Sequence, residues 1–318
     1  MSNRKIVAVV LIPIVVVSLF VGWWHLNYSR LPILPPSGTT GEPVEDQPTQ
    51  YVTISVNLYE GNGHWIRDYA TDLPYYSTTI AYSISNWGTT SASDVQYTIY
   101  VNGDIHLQGF LSTLVSDASF SDQFSIHVKC DDRYQISLTA SCDDSSDTCS
   151  ITSKATLPRS WSSSEIVKLY ITPDDPIVKN LVKEIQETKF FLIPDWIAIR
   201  NWVGNNIEYR DDTETHGSED FWQLPRETLS KRTGDCEDFS ILLCSLYRAV
   251  GWDRNRVYVV LGEEGGNYHA WVKLNVDIIG WQNIEPQAGA LNTFIGDLFS
   301  LSGYTAEYNF NDVYFNPV

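Results

Sequence analysis

The sequence predicts one membrane-spanning helix, an all-β immunoglobulin-like sandwich and a C-terminal α+β domain. Three observations carry this prediction: an uncharged run near the N-terminus, short alternating segments separated by turn residues in the first half, and helical periodicity followed by β-branched runs in the second. The predicted segments are residues 1–30 for the cytoplasmic stub and membrane helix, 31–50 for a linker, 51–158 for the sandwich, and 165–318 for the α+β domain.

The membrane helix is predicted from Ile6 to Trp24, nineteen residues without charge, which is long enough to cross the hydrocarbon core with modest tilt. Arg4 and Lys5 precede this run and acids follow it, so the positive-inside rule puts the N-terminus in the cytoplasm and the folded part outside. No small-x-small cleavage site follows, which favours a retained signal anchor over a cleaved signal peptide. Residues 31–50, rich in Pro, Gly, Thr and acids, predict an extended tether.

The sandwich is predicted from strand-like runs separated by turns such as Asn102-Gly103. The runs are Tyr51 to Leu58, Thr78 to Ile84, Val95 to Val101 and Tyr134 to Ala140. The stretch from Asn86-Trp87-Gly88 to Val95 also resembles cell-adhesion-related β-sandwich domains of surface proteins. That resemblance implies a spacer, or a surface that contacts substrate or cell wall.

Three cysteines fall in the predicted sandwich, in a compartment where disulfides form. Cys142 and Cys149 flank a polar run that is typical of a hairpin tip, so we expect these two to pair, with Cys130 bonded to either of them as the alternative. The acids between them predict a solvated loop.

The net charge of −18 argues against a nucleic-acid partner, because a surface that binds phosphates needs clustered Lys and Arg. This charge is compatible with a soluble ectodomain, with cationic substrates or with a calcium-rich exterior, and composition does not separate these.

The chemistry-bearing segment begins at Cys236, at the start of a predicted helix with apolar residues at three- and four-residue spacing and a stop at Gly251. A thiol in the first turn gains from the partial positive charge of the helix end, which favours the nucleophilic thiolate. Asp235 is the expected N-cap. Cys244, among leucines on the same helix, is expected to be core packing.

Two further residues complete a Cys-His-acid arrangement. His269 lies in Tyr268-His269-Ala270-Trp271, 33 positions after Cys236 (269 − 236). Glu285 ends the following predicted strand, 16 residues after His269 (285 − 269). A hairpin of this length brings an acid beside an imidazole, where it orients the ring and stabilises its cationic form.

These motifs resemble the transglutaminase-like superfamily of papain-like thiol enzymes over roughly residues 170–286. The matching residues include the Gly-x-Cys at Cys236, the His-Ala-Trp at His269 and the upstream run Phe221-Trp222-Gln223-Leu224-Pro225. The resemblance implies an α+β fold and the roles of nucleophile, base and orienting acid for Cys236, His269 and Glu285. The family's usual acid is Asp, so Glu285 is a departure. Trp222 and Gln223 are candidates to line the cleft, with core packing as the alternative for Trp222, and the backbone N–H of Cys236 is a candidate oxyanion donor.

The run Asp235-Cys236-Glu237-Asp238 is similar to the Asp-Cys-Glu-Asp run of periplasmic bacterial transglutaminase-like cysteine proteases, whose flanking carboxylates bind calcium. Two interpretations of Asp235, Glu237 and Asp238 stay open: helix capping with complementarity to the helix dipole, or a Ca²⁺ site. The chemistry of the triad itself requires no cofactor.

We therefore expect a membrane-anchored, extracytoplasmic thiol enzyme that acts on amide bonds of peptide or protein substrates, including cell-envelope proteins, as a cysteine peptidase or amidase. The alternatives are a transglutaminase-type cross-linking enzyme and a non-catalytic surface-binding module on the same scaffold.

Overall fold

The structure, a computed structural model, describes residues 49–287 and 303–318. The predicted membrane helix at residues 6–24 and nearly all of the predicted linker lie outside the described residues. Within the described part of the chain, no helix is long and apolar enough to cross a membrane.

Eight strands form the first folded region. They are β1 (Ile54–Glu60), β2 (His64–Arg67), β3 (Pro74–Asn86), β4 (Ala92–Val101), β5 (Asp104–Leu114), β6 (Ala118–Lys129), β7 (Arg133–Ser141) and β8 (Ser146–Lys154). In one antiparallel sheet β3 pairs with β6 and with both β1 and β2. The second sheet has the order β5-β4-β7-β8.

Alternation along the central strands builds the core between these sheets. Ile80, Tyr82 and Ile84 on β3 are buried, and so are Ile99 on β4 and Ile136 on β7. These side chains belong to one apolar cluster, whereas the intervening residues are more exposed. Since side chains of a strand point alternately to opposite faces, each sheet turns one face to the other, as predicted for the β-sandwich.

The second folded region mixes helices and strands. Its helices are α1 (Ser164–Leu169), α2 (Pro176–Thr188), α3 (Asp195–Asn206), α4 (Asp212–Thr215), α5 (Pro225–Lys231) and α6 (Cys236–Ala249). Its strands are β9 (Glu208–Tyr209), β10 (Thr233–Gly234), β11 (Val257–Glu264), β12 (Asn267–Val276), β13 (Gly280–Ile284), β14 (Tyr304–Phe310) and β15 (Phe315–Pro317).

Helix α6 is the central element of this region. Its residues from Glu237 to Tyr247 are all buried, because the helix packs on β11 and β12 on one side and on α2, α3 and α5 on others. Cys244 is fully buried, as expected for core packing. The sheet beneath is antiparallel with the order β13-β12-β11-β14-β15. Strands β14 and β15, close to the C-terminus, form one edge of this sheet.

Arg159, in the segment between the two regions, ties them together. Its guanidinium pairs with Asp131 of the sandwich and donates two hydrogen bonds, of 2.6 and 3.0 Å, to Glu227 of α5. The backbone N–H of Trp222 donates to the Arg159 carbonyl at 2.6 Å. The connecting segment therefore runs along the residues that precede α5, which brings it to the edge of the cleft described below.

The predicted disulfide between Cys142 and Cys149 is wrong in this structure, where all five cysteines are free. In the β7–β8 hairpin, Cys149 lies opposite Leu138, four residues along the ladder from Cys142. At about 3.4 Å per residue this separation is roughly 13 Å, about twice the largest Cα–Cα distance that a disulfide normally spans. Cys130, the alternative partner, packs against the core of the other region.

Candidate active site

Cys236 and His269 open onto one cleft of about 610 Å³ at the N-terminal end of α6. Its wall also includes Trp161, Tyr209, Glu219, Asp220, Trp222, Asp235, Glu237, Leu261, Gly262, Tyr268, Ala270, Glu307 and Tyr308. A larger cleft of about 800 Å³ lies near the other end of α6, beside Val250 and Trp252, and contains none of the predicted site residues.

The segment before Cys236 is held by a short parallel pairing of β10 with β9. Gly234 is required there by packing, since a Cβ at this position would lie 2.6 Å from the Cβ and 2.7 Å from the Oδ2 of Asp238. The glycine of the Gly-x-Cys motif therefore makes room for a buried carboxyl in the first turn of α6, and the next two residues bring the thiol to the helix start.

The thiol of Cys236 donates to Glu237 Oε2 at 3.3 Å. Burial raises the pKa of Cys236, and the carboxyl groups of Glu237 and Asp235 raise it further, while the backbone N–H of Ala270 opposes the rise. The expected preference for thiolate is thus outweighed: the helix end contributes about 0.3–1 kcal/mol when exposed, less than burial and two neighbouring acids. The Ala270 contact also places the sulfur beside the strand that carries His269.

His269 and Glu285 are hydrogen-bonded, with 2.8 Å between His269 Nε2 and Glu285 Oε2. Although burial by itself lowers the pKa of His269, the hydrogen bond and charge of Glu285, with a smaller contribution from Glu264, outweigh it and raise the pKa. Arg200 on α3 donates from Nε to the backbone carbonyl of Glu285 at 3.1 Å, which fixes the end of β13. Because Nε2 is engaged, Nδ1 is the ring nitrogen left for proton exchange with a thiol.

Five carboxyl side chains gather behind the thiol, in overlapping groups whose ligand atoms lie within 4.8 Å of one another. They are Asp212, Asp220, Asp235, Glu237 and Asp238. Burial raises the pKa of Asp235 to about 6, and the charges of Asp212 and Asp220 add to the rise. Burial also raises the pKa of Glu237 and of Asp238 well above the usual range. A cluster with such high proton affinity also suits a cation.

Asp235 occupies the N-cap position of α6 but makes no capping hydrogen bond. Its Oδ1 and the Oε1 of Glu237 are buried without a hydrogen-bond donor among the described residues. The two carboxyl groups face each other, so a shared proton or a cation would satisfy both. The position of Asp235 agrees with the predicted N-cap, but its side chain makes no capping hydrogen bond. The carboxyl oxygens of Asp235 and Glu237 are hard donors of the kind that Ca²⁺ prefers, so both interpretations of these acids stay open.

Asp238 differs from these two acids because both of its carboxyl oxygens accept hydrogen bonds. Gln223 donates to Asp238 Oδ1 from its backbone N–H at 2.7 Å and to Oδ2 from its side-chain amide. Gln223 is fully buried and is not among the residues that line the cleft, which corrects the expectation that it contacts substrate. Its role is to hold Asp238 against Gly234.

Trp222 contributes to the cleft wall but is only 3% exposed. Its ring stacks on Phe310 with centroids 5.8 Å apart and meets Tyr170 edge-on at 5.4 Å. It therefore acts mainly as core packing beneath the cleft. Exposed aromatic side chains of the cleft are those of Trp161, Tyr209 and Tyr268. Trp161 packs against Tyr308 with ring centroids 5.0 Å apart and planes tilted by 35°.

Sequence reasoning missed Asp212, Asp220 and Trp161. The two aspartates lie in an acid-rich run, residues 211–220, between α3 and the Cys236 motif, and that enrichment was the available signal. Trp161 lies in the connecting segment outside every recognised motif, and no local pattern marks it.

Comparison with known proteins identifies two families. The family model described as the transglutaminase-like superfamily matches residues 179–286, and the CARDB model matches residues 69–148, within the sandwich. No curated protein matches the chain.

Solved structures that match parts of the chain include two of Legionella pneumophila LapG. The EGTA-treated form is 16% identical and covers 50% of this chain and 80% of LapG, with a TM-score of 0.35. The calcium-bound form is 18% identical and covers 49% and 81%, also with a TM-score of 0.35. The CARDB domain of a Pyrococcus furiosus protein in complex with di-metal ions is 10% identical and covers 36% and 98%, with a TM-score of 0.26.

The family model spans α3, α5 and α6 and the strands that carry His269 and Glu285, which is the region where the structure places the cleft. Residues 179–286 of this chain therefore form a transglutaminase-like domain and belong to the transglutaminase-like superfamily.

Proposed function

We propose that the chain is a membrane-anchored, extracytoplasmic thiol enzyme that cleaves amide bonds of peptide or protein substrates, as a cysteine peptidase or amidase. One observation carries the proposal: Cys236 and His269 open onto the same cleft, and Glu285 Oε2 lies 2.8 Å from Nε2 of His269. A nucleophile, a base and a group that orients the base are the components of covalent acyl transfer.

In this mechanism His269 accepts the proton of Cys236, and the sulfur attacks the carbonyl carbon of the substrate. Glu285 stabilises the imidazolium that results, consistent with its upward effect on the pKa of His269. The backbone N–H of Cys236 is at the first position of α6 and has no partner within the helix, so it is available to the oxyanion. His269 returns its proton to the leaving amine, and an acyl-enzyme remains on sulfur.

Water or an amine then attacks the acyl-enzyme, giving hydrolysis or cross-linking. We favour hydrolysis, because water is abundant and the charged residues that line the cleft, apart from His269, are all acids. Amine transfer, the alternative, would need a second site that presents an unprotonated amine next to the sulfur.

Asp212, Asp220, Asp235 and Glu237 are the residues that would hold Ca²⁺, and Asp238 supports them from the first turn of α6. A bound cation would supply positive charge that offsets the carboxylates beside the thiol. The chain's own contribution is to keep these acids in place: Phe221 donates its backbone N–H to Asp212, and Gln223 holds Asp238.

The location follows from the sequence. The uncharged run at residues 6–24, with Arg4 and Lys5 before it, supports a single-pass anchor with a cytoplasmic N-terminus. The CARDB-matching sandwich then lies between anchor and enzyme along the chain, as a spacer or a contact surface. Cell-envelope proteins are the substrates that this arrangement would reach.

The direct test is to incubate envelope proteins with full-length chain and with Cys236→Ala, and to identify new N-termini by mass spectrometry. Cys244→Ala is the matched control, since that thiol is fully buried. New N-termini are expected with wild type and with Cys244→Ala but not with Cys236→Ala. Isopeptide bonds without cleavage would favour cross-linking, and identical products from all three proteins would support the non-catalytic surface module.

A further inference from the structure

Tyr304, the first residue of β14, lies against both the base and the acid of the candidate triad. Its hydroxyl donates to Glu285 Oε2 at 3.3 Å, the same oxygen that faces His269. Its ring meets His269 edge-on, with centroids 5.8 Å apart and planes at 62°, and meets Trp271 at 5.0 Å and 82°. No sequence motif pointed to this residue.

The register of the sheet explains how a residue so late in the chain reaches the triad. Tyr304 pairs with Glu264 at the end of β11, and Glu264 in turn is 3.8 Å from His269 Nε2. The hydroxyl thus lies near the carboxyl groups of Glu264 and Glu285, and it donates to Glu285.

Among the residues that the structure describes, the Glu285 carboxyl group has one long contact on each oxygen besides His269. Arg200 donates from Nε to the backbone carbonyl of Glu285 and so fixes the main chain there. Oε1 accepts from the backbone N–H of Gln287 at 3.4 Å, and Oε2 accepts from the Tyr304 hydroxyl at 3.3 Å. Both distances are longer than usual hydrogen bonds. A glutamate side chain has three rotatable bonds, so an acid anchored only by His269 would leave the ring in several geometries.

We propose that Tyr304 is a positioning residue that holds the Glu285 carboxyl group against His269 Nε2. The inference rests on the proposed function, because it concerns the same triad. The hydroxyl remains a donor over the physiological range, since burial and the two carboxyl groups raise the pKa of Tyr304. The ring supplies a second constraint, because its edge contacts fix the plane of the imidazole.

The test uses Tyr304→Phe in the full-length protein, which removes the hydroxyl and keeps the ring. The pKa of His269 is followed by NMR of its ring protons, and the rate at which iodoacetamide alkylates Cys236 is followed by mass spectrometry. Tyr314→Phe is the matched control, because its ring contacts Arg254 rather than the triad. Glu285→Ala and the double variant with Tyr304→Phe complete a cycle that measures coupling.

If Tyr304 positions Glu285, the pKa of His269 falls by roughly half a unit in Tyr304→Phe, and alkylation of Cys236 near neutral pH slows about three- to fivefold. In the Glu285→Ala background the same change has no further effect. If the hydroxyl only withdraws charge from Glu285 and does not position it, Tyr304→Phe would make the carboxylate more basic and would not lower the pKa of His269. An unchanged or raised pKa of His269 in Tyr304→Phe therefore overturns the proposal.

Equal effects of Tyr304→Phe with and without Glu285 also overturn it, because the residue would then act through the fold. Failure of the proposed function has a different signature. Wild-type Cys236 would then alkylate no faster than Cys244, while the pKa of His269 would still respond to Tyr304→Phe and so support the positioning contact.

Discussion

Replacing Glu285 with Gln is the perturbation whose consequence follows most directly from the structure. The substitution keeps the shape of the side chain and removes the charge that faces His269 Nε2 at 2.8 Å. The side chains of His269 and Glu285 are 13% and 17% exposed, so water screens this pair only in part.

The expected change in the pKa of His269 comes from two opposing effects. At 2.8 Å and an effective dielectric constant of 20, Coulomb attraction is roughly 6 kcal/mol, but burial of the cation cancels much of it. A hydrogen bond to a charged group contributes about 1.5–3 kcal/mol net. Allowing for partial solvent screening, we expect about 1.4 kcal/mol, which lowers the pKa of His269 by about one in Glu285→Gln.

The sign of the pH dependence follows from the raised pKa of His269. Because the folded-state pKa lies above the unfolded value of about 6.5, the pair stabilises the fold fully below that value and loses this contribution as pH rises through the folded-state pKa. Urea unfolding of wild type and Glu285→Gln should therefore differ by about 1 kcal/mol more at pH 6 than at pH 9.

NMR titration of the His269 ring protons measures the pKa directly. Glu264→Gln is the matched control, because Glu264 is 3.8 Å from the same nitrogen and half exposed, and its removal should have a smaller effect. A pKa of His269 that is the same in wild type and Glu285→Gln, or that responds more to Glu264→Gln, would refute the account of the pair.

Three further predictions concern the surroundings of the thiol and the sandwich. Ca²⁺ at one hundred times its dissociation constant should stabilise the full-length protein by about 2.7 kcal/mol, measured as a higher Tm than in EGTA. Asp212→Asn should abolish this gain, whereas Asp211→Asn should keep it, because Asp211 lies outside the acid groups. Gly234→Ala should lower stability by about 1–3 kcal/mol in urea unfolding, because its Cβ would meet Asp238 at 2.6 Å; an unchanged midpoint would show that the segment can shift freely. Thiol titration of the unreduced, denatured protein should count five free thiols. A count of three would show that one disulfide is present.

The sequence predicted the buried elements of the fold better than the exposed ones. Strands β3, β4 and β7 and helix α6 have continuous apolar periodicity, because they pack on other elements along most of their length. Strands β5, β6 and β8 were missed. Their outer faces are largely exposed, so polar residues interrupt the β-branched and aromatic ones and weaken the strand signal.

The site was predicted in the same uneven way. Local motifs marked Cys236 and His269, and hairpin length marked Glu285. The state of the thiol was not predictable, because it depends on burial and on acids that come together only in the fold. Tyr304 and Trp161 were not predicted for a related reason. Tyr304 reaches the triad through strand pairing, and Trp161 reaches the cleft from the segment between the two regions, and no local spacing encodes such contacts.

The central claim is that the Cys236 sulfur and the His269 imidazole face each other across one cleft. Treatment of the full-length protein with 1,3-dibromoacetone, a short bifunctional alkylating reagent, tests this directly. A covalent link between Cys236 and His269 is expected in mass spectrometry of the digest, and only a single attachment at Cys236 is expected in His269→Ala. Alkylation of wild-type Cys236 without any link to His269 would contradict it.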